Sequence, residues 1–230
     1  HDVETETSAG IVPFRYRRKS YVHAIQWSIG LELSLLIEDP WKIYLTTDHP
    51  NAAPFTSYPR IVSWLMSQAA REKVMETINR KARRRSLLPT VDREYTLREV
   101  AIVTRAGPAK ALGLTQKGHL GVGADADIAV YNVNPERVNL SKKYKTVRRA
   151  FQRAAYTIKD GKVVVKNGKV VRSVSGKTFW VNVKASPSII EIAPTLQREF
   201  EKYYTVRYEN YQVPTHHLAV SSPVLVKAGV

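Results

Sequence analysis

The sequence predicts an α/β fold, in which the closing units of an α/β barrel precede a small antiparallel β module. Three observations predict it. Apolar residues recur at helical spacing through the first half. A short aromatic and β-branched run between two such segments ends on an aspartate. After about residue 118 the pattern changes to short strands parted by Asp-Gly and Asn-Gly pairs. The 230 residues fit one large domain or two small ones, and a hydrophobic share of 43% suffices for a packed core. No apolar run is long enough for a membrane-spanning helix. With no cysteine, this stretch has no disulfide, thiolate metal site, iron–sulfur ligand or cysteine nucleophile.

Residues 21–37 place Val22, Ile25, Ile29, Leu33 and Leu36 three and four apart, which predicts a helix buried on that face and stopped by Asp39-Pro40. Residues 41–47 (WKIYLTT) read as a buried strand that delivers Asp48 at its C-terminal tip. Pro59 suits the first turn of the next helix, with Ile61, Val62, Leu65, Met66, Ala69 and Ala70 inside, running out into the cations 80–85. Thr96 and Glu99 have capping-box spacing and open a helix over 96–106, which Gly107-Pro108 interrupts; a last turn ends at Gly113. Strands are expected at 128–131, 146–151, 155–159, 163–166, 170–172 and 179–183, with two-residue turns at Asp160-Gly161 and Asn167-Gly168. A final helix over about 193–203 precedes a strand-like segment, 204–213, and a Pro/Ser tail.

The net charge of +16 is concentrated in two stretches. Residues 137–177 hold 13 Lys/Arg against Asp160, and residues 71–93 hold eight against Glu72, Glu76 and Asp92. Such stretches suit nucleic acid, a solvated sheet face carrying edge lysines, or the docking of acidic partner subunits.

Asp48 is the most informative candidate. Catalytic groups of (β/α) barrels collect at strand C-termini, where a carboxylate can ligate a metal and take a proton from metal-bound water; the competing reading is a turn or cap. His49 could be a ligand or proton carrier, or an ordinary loop histidine, and neighbours on a strand face opposite ways. His216-His217, His23 and His119 lack ligand spacing, and the glycine-rich stretch 118–128 fits neither a P-loop nor a dinucleotide fingerprint.

Gly121-Val122-Gly123-Ala124-Asp125-Ala126-Asp127-Ile128-Ala129-Val130, with the DGK and NGK turns after it, resembles the end of an amidohydrolase-superfamily chain. Ile11-Val12-Pro13-Phe14, Tyr21-Val22-His23-Ala24-Ile25-Gln26-Trp27, Leu45-Thr46-Thr47-Asp48-His49-Pro50-Asn51 and Pro54-Phe55-Thr56-Ser57-Tyr58-Pro59 narrow this to the A subunits of formylmethanofuran dehydrogenases, over roughly residues 8–215. The resemblance implies the last units of a metal-dependent (β/α) barrel over 1–115, a small antiparallel β-sandwich over 116–185, and a C-terminal helix, strand and tail over 186–230. It implies two zinc ions, with Asp48 a ligand and proton handler and with His49, Asn51 and Phe55 near the substrate entrance. A partner subunit with a tungsten- or molybdenum-pterin would make formate, which is then joined to the amine of methanofuran by the zinc-bearing subunit or released there by hydrolysis. The implied setting is a cytoplasmic multi-subunit complex of archaeal, methanogenesis-type C1 metabolism. The related formyltransferase/hydrolase complex fits the same motifs.

Two departures stand out. Ala52-Ala53 replaces a frequent Gly-Gly, which would alter a loop that needs positive φ. The family's His-x-His pair, carboxylated lysine and further histidines are absent from these residues. One carboxylate cannot hold a catalytic zinc, which takes about three protein ligands. The expectation is therefore the C-terminal portion of a longer subunit, inactive alone, with His1 as a cut; a processed N-terminus is the other reading of that start.

Overall fold

The computed structural model describes residues 15–49, 52–182, 186–205 and 223–227. They fall into two units, one over 15–174 and one made of the described residues from 175 to 227.

In the first unit, α1 (Tyr21–Leu36) begins where Ser20 caps His23 N–H. The helix is the expected one, but its buried face is not. Ala24, Ser28, Leu31 and Leu35 point into the core, whereas Val22, Ile29, Leu33 and Leu36 are about half exposed. The helix carries apolar residues on both sides, so hydropathy did not choose the side that packs, and the described residues cover one of them. Its C-terminal carbonyls are met by side chains: Arg93 donates to Leu35 O and Ile37 O at 2.8 Å, and the Tyr95 hydroxyl donates to Ser34 O. A cation thus sits at the negative end of the helix.

One 3₁₀ turn, Pro40–Lys42, follows, and residues 43–48 then run on without joining a strand ladder. This corrects the expected strand over 41–47. A barrel strand takes its backbone bonds from parallel strands on either side, and the described residues supply none. One bond ties the run to a distant element, Leu45 N–H to Val103 O at 2.9 Å.

Residues 58–85, expected as one helix, form α2 (Tyr58–Leu65), α3 (Gln68–Met75) and α4 (Arg80–Arg85). The breaks are caps. Ser67 Oγ accepts from Ala70 N–H, and Asn79 Oδ1 accepts from Lys81 and Ala82 N–H. Ala69, expected inside, is exposed, unlike the buried Ala70 beside it. Arg71, 1% exposed, donates to the carbonyls of Trp64, Val91 and Arg93, pinning α3 to the segment after it. Burial pulls its guanidinium pKa down, against the opposing pull of Glu94 and Glu72.

The Thr96/Glu99 capping box opens α5 (Leu97–Ala101) as predicted. One π turn, Ile102–Ala106, leads into α6 (Gly107–Ala111), and the chain leaves at Gly113 with φ +69°. Next come β1 (Ile128–Val130), α7 (Tyr144–Gln152), β2 (Tyr156–Lys159), β3 (Lys162–Lys166) and β4 (Lys169–Val170). The four strands form one antiparallel sheet in the order β1-β2-β3-β4. Asp160-Gly161 (φ +46°, +74°) and Asn167-Gly168 (φ +50°, +73°) make the two predicted turns. Residues 146–151, expected as a strand, lie in α7, where Val147 and Ala150 are buried and α2 is the neighbour. Val147, Ala150 and Phe151 are three and four apart, and that period outweighs the β-branched composition. A second layer facing this sheet, as a sandwich requires, is not among the described residues of the unit.

In the other unit, β5 (Phe179–Asn182) pairs in parallel with β6 (Val224–Lys227), so β5 does not extend the antiparallel meander. Between them, α8 (Pro187–Tyr203) starts earlier than expected, because Ser186 caps Ile189 N–H and Pro187 suits the first turn. The motif 11–14, the segment 206–213 and His216-His217 lie outside the described residues.

Candidate functional site

Asp48 ends the run 43–48 in the left-handed region, φ +48°. Aspartate tolerates this region better than other non-glycine residues, yet the position carries a cost that its surroundings must hold. They do so through the loop: Asp48 N–H donates to Thr46 Oγ1 at 3.2 Å, Ala52 N–H to Asp48 O at 3.0 Å, and Ala53 N–H to Thr47 O at 2.9 Å. Neither alanine has positive φ, so the loop shape does not depend on glycine at 52–53. The Asp48 carboxylate is exposed and makes no hydrogen bond or ion pair among the described residues.

His49 Nδ1 accepts from Phe55 N–H at 3.3 Å, and its ring stacks on Phe55 with centroids 3.9 Å apart and planes at 18°. A neutral ring accepting at Nδ1 carries its proton on Nε2, which remains the atom able to face a substrate. Tyr58 extends the stack at 6.4 Å from Phe55, giving an aromatic ledge beside Asp48. Asn51 lies outside the described residues.

A cavity of about 420 Å³ adjoins Asp48, lined by Leu45, Thr47, Arg60, Ile61 and the crossed rings of Trp27 and Trp64, whose centroids are 5.5 Å apart at 84°. Trp27 Nε1, Trp64 Nε1 and Thr47 Oγ1 are buried there without a partner among the described residues. Buried donors are normally paired, so these walls suit completion by a further segment.

A second group of carboxylates was not foreseen. Oxygens of Asp125, Asp127 and Asp160 lie within 4.8 Å of one another, but two ammonium groups already sit among them. Lys117 Nζ lies 2.6 Å from Asp125 and 2.7 Å from Asp127, and Lys159 Nζ lies 3.0 Å from Asp127 and Asp160. Burial alone would raise the Asp127 pKa; hydrogen bonds from Lys117, Asp160 N–H and Lys159 outweigh it and hold the carboxyl well below the carboxylate range. Burial likewise works to lower Lys117, and its bonds to Asp125 and Asp127 raise it well above the lysine range. The group pins residues 117–127 to the β2–β3 turn. Its signal in the sequence was the pairing of GADAD with Asp160-Gly161, separated by more residues than any local motif spans.

A catalytic zinc takes about three protein ligands. The described residues offer one free carboxylate at Asp48 beside a histidine whose Nδ1 is engaged, so they do not complete such a site.

The sequence matches the amidohydrolase family over residues 1–165. The chain belongs to the amidohydrolase family. This member is 47% identical over 215 residues to protein FwdA of Methanocaldococcus jannaschii, covering 92% of this chain and 37% of FwdA. It is 46% identical over 176 residues to the A component of the formyltransferase/hydrolase complex Fhc of Methylorubrum extorquens, covering 76% of this chain and 30% of that component. Its fold superposes with a TM-score of 0.70 and 39% identity on a chain of the crystal structure of the FhcABCD complex from Methylorubrum extorquens with methylofuran, covering 94% of this chain and 38% of that one. This amidohydrolase chain therefore spans between three and four tenths of the length of these relatives. No helix among the described residues is long and apolar enough to cross a membrane.

Proposed function

We propose that this chain is the C-terminal part of an amidohydrolase-type enzyme component that forms or hydrolyses the formyl amide of a methanofuran-type C1 carrier. The observation that carries it is the free, exposed carboxylate of Asp48, held in a left-handed conformation at the end of the TTDHPN block. In this reading Asp48 is one ligand of a two-zinc site and the holder of a proton at its carboxylate oxygen; the remaining ligands come from earlier barrel strands. Zinc, when bound, supplies Lewis acidity and a water acidic enough to ionise near neutral pH. The His49–Phe55–Tyr58 ledge offers a planar face for a flat substrate group, and His49 Nε2 offers a donor towards it. Asn51 is assigned to the same entrance only from its place in the TTDHPN block.

The domain bounds proposed are 1–115 for the barrel part, 116–185 for the sandwich and 186–230 for the C-terminal segment, in a cytoplasmic multi-subunit complex. Identity of 47% to FwdA and 46% to the Fhc component keeps two settings in view. In one, a tungsten- or molybdenum-pterin partner supplies formate for condensation; in the other, the formyl group is hydrolysed without that partner. Purifying the natural complex and assaying it for pterin metal separates them. The amidohydrolase reading is tested by formyl-amide hydrolysis: the full-length protein is expected to turn over and residues 1–230 alone to be inactive, and a fully active 1–230 chain would overturn it.

The basic stretches lose part of their binding character. Arg71 and Arg93 are internal staples and Lys159 pairs with Asp127 and Asp160, whereas Arg83 and Arg84 are exposed at the end of α4. Docking of acidic neighbours in the complex is the use we assign to Arg83 and Arg84; nucleic acid has no support beyond charge.

A further inference from the structure

Among the described residues, one backbone bond from a distant element anchors the Asp48 run, Leu45 N–H to Val103 O. The π turn Ile102–Ala106 supplies that carbonyl. Within it, Gly107 N–H bonds back to Ile102 O. Continued one residue further, the same i→i−5 register would have residue 108 donate to Val103 O, but Pro108 has no N–H. The Val103 carbonyl, on a fully buried residue, is left for Leu45 N–H at 2.9 Å. Gly107 adds the space: a Cβ there would stand 2.9 Å from Ile102 O and 3.2 Å from the Tyr44 ring. Lys110, one turn on, sits over the Trp41 ring at 5.1 Å. Trp41, Tyr44 and Leu45 are therefore all gripped by one short element, and Asp48 follows Leu45 by three residues.

We propose that Gly107 and Pro108 are positioning residues for Asp48: the glycine admits Tyr44, and the proline frees the carbonyl that holds Leu45. The inference rests on the reading of Asp48 given above. π turns inside helices frequently accompany functional sites, and catalytic groups must be held to about 0.5 Å, since a displacement of about 1 Å can cost 10²-fold.

The test uses the full-length protein in its complex, with Gly107→Ala, Pro108→Ala and the control Ala109→Gly. Ala109 is buried on the same helix but abuts Gly118 instead of the 41–45 run. Three readouts are taken: kcat against KM for formyl-amide hydrolysis, the thermal midpoint, and amide hydrogen exchange of a peptide covering 43–48. Gly107→Ala and Pro108→Ala are expected to speed exchange at 43–48 and to lower kcat about 10–100-fold with KM within about twofold. Ala109→Gly is expected to lower the midpoint while leaving kcat and that exchange unchanged. Unaltered exchange at 43–48 in Gly107→Ala, or a kcat loss that tracks the midpoint equally in all three variants, would overturn the inference. An active Asp48→Asn enzyme would instead strike the reading of Asp48 itself and leave the exchange result to judge the clamp.

Discussion

Asp48 and the Asp125–Asp127–Asp160 group are both carboxylate sites, and they are built in opposite ways. The trio has its charge spent: Lys117 and Lys159 lie within 2.6–3.0 Å, and Asp127 also accepts a backbone N–H from Asp160. Asp48 has its backbone spent instead, with its N–H and carbonyl engaged, φ at +48° and the carboxylate left free. By count of acidic oxygens the trio is the better metal site. By what those oxygens already touch, it is a fastener, whereas the Asp48 carboxylate has no partner among the described residues.

That contrast can be broken at several points. The largest expected effect is Asp48→Asn in the full-length protein, which should reduce formyl-amide hydrolysis about 10²–10⁴-fold while leaving the thermal midpoint near that of the parent. Lys117→Ala, which removes the ammonium from Asp125 and one of the two from Asp127, is expected to cost about 1–3 kcal/mol of stability in a denaturant titration, with little change in kcat. The pH dependence sharpens the same point. The folded pKa of Asp127 lies below its ordinary value of 3.8, so the stability it adds is full above about pH 4 and is lost as pH falls towards the folded pKa. Asp127→Asn should therefore flatten the fall in denaturant midpoint between about pH 4 and pH 2. The smallest effect is expected from joint Arg83→Ser and Arg84→Ser: stability within about 0.5 kcal/mol of the parent, and slower assembly with acidic neighbours, measured as an association rate at moderate salt.

Much of the fold was legible where the signal is local. The capping box at Thr96 and Glu99, the turns at 160–161 and 167–168, and the existence of α1 all depend on neighbours within a few residues. The buried side of α1 was not legible, because both sides are apolar and the choice depends on what packs there. The three-way division of 58–85 hung on Ser67 and Asn79, whose capping competes with continued helix by margins that hydropathy does not register. The run 41–47 has strand composition but no ladder, since composition cannot supply the flanking strands. At the candidate site, the placing of Asp48 at the exposed end of an extended run was legible from a β-like composition ending before His49-Pro50. The lysine-filled trio was not, because Lys117 and Lys159 meet only after the β2–β3 hairpin closes. Nor was the Val103–Leu45 bond, which joins residues far apart in the chain.

The most direct measurement is the metal content of the full-length protein in two variants prepared side by side, Asp48→Asn and Asp127→Asn. The account predicts that Asp48→Asn loses bound zinc and that Asp127→Asn retains the parent's zinc content and turnover. Zinc lost from Asp127→Asn and retained in Asp48→Asn would contradict it.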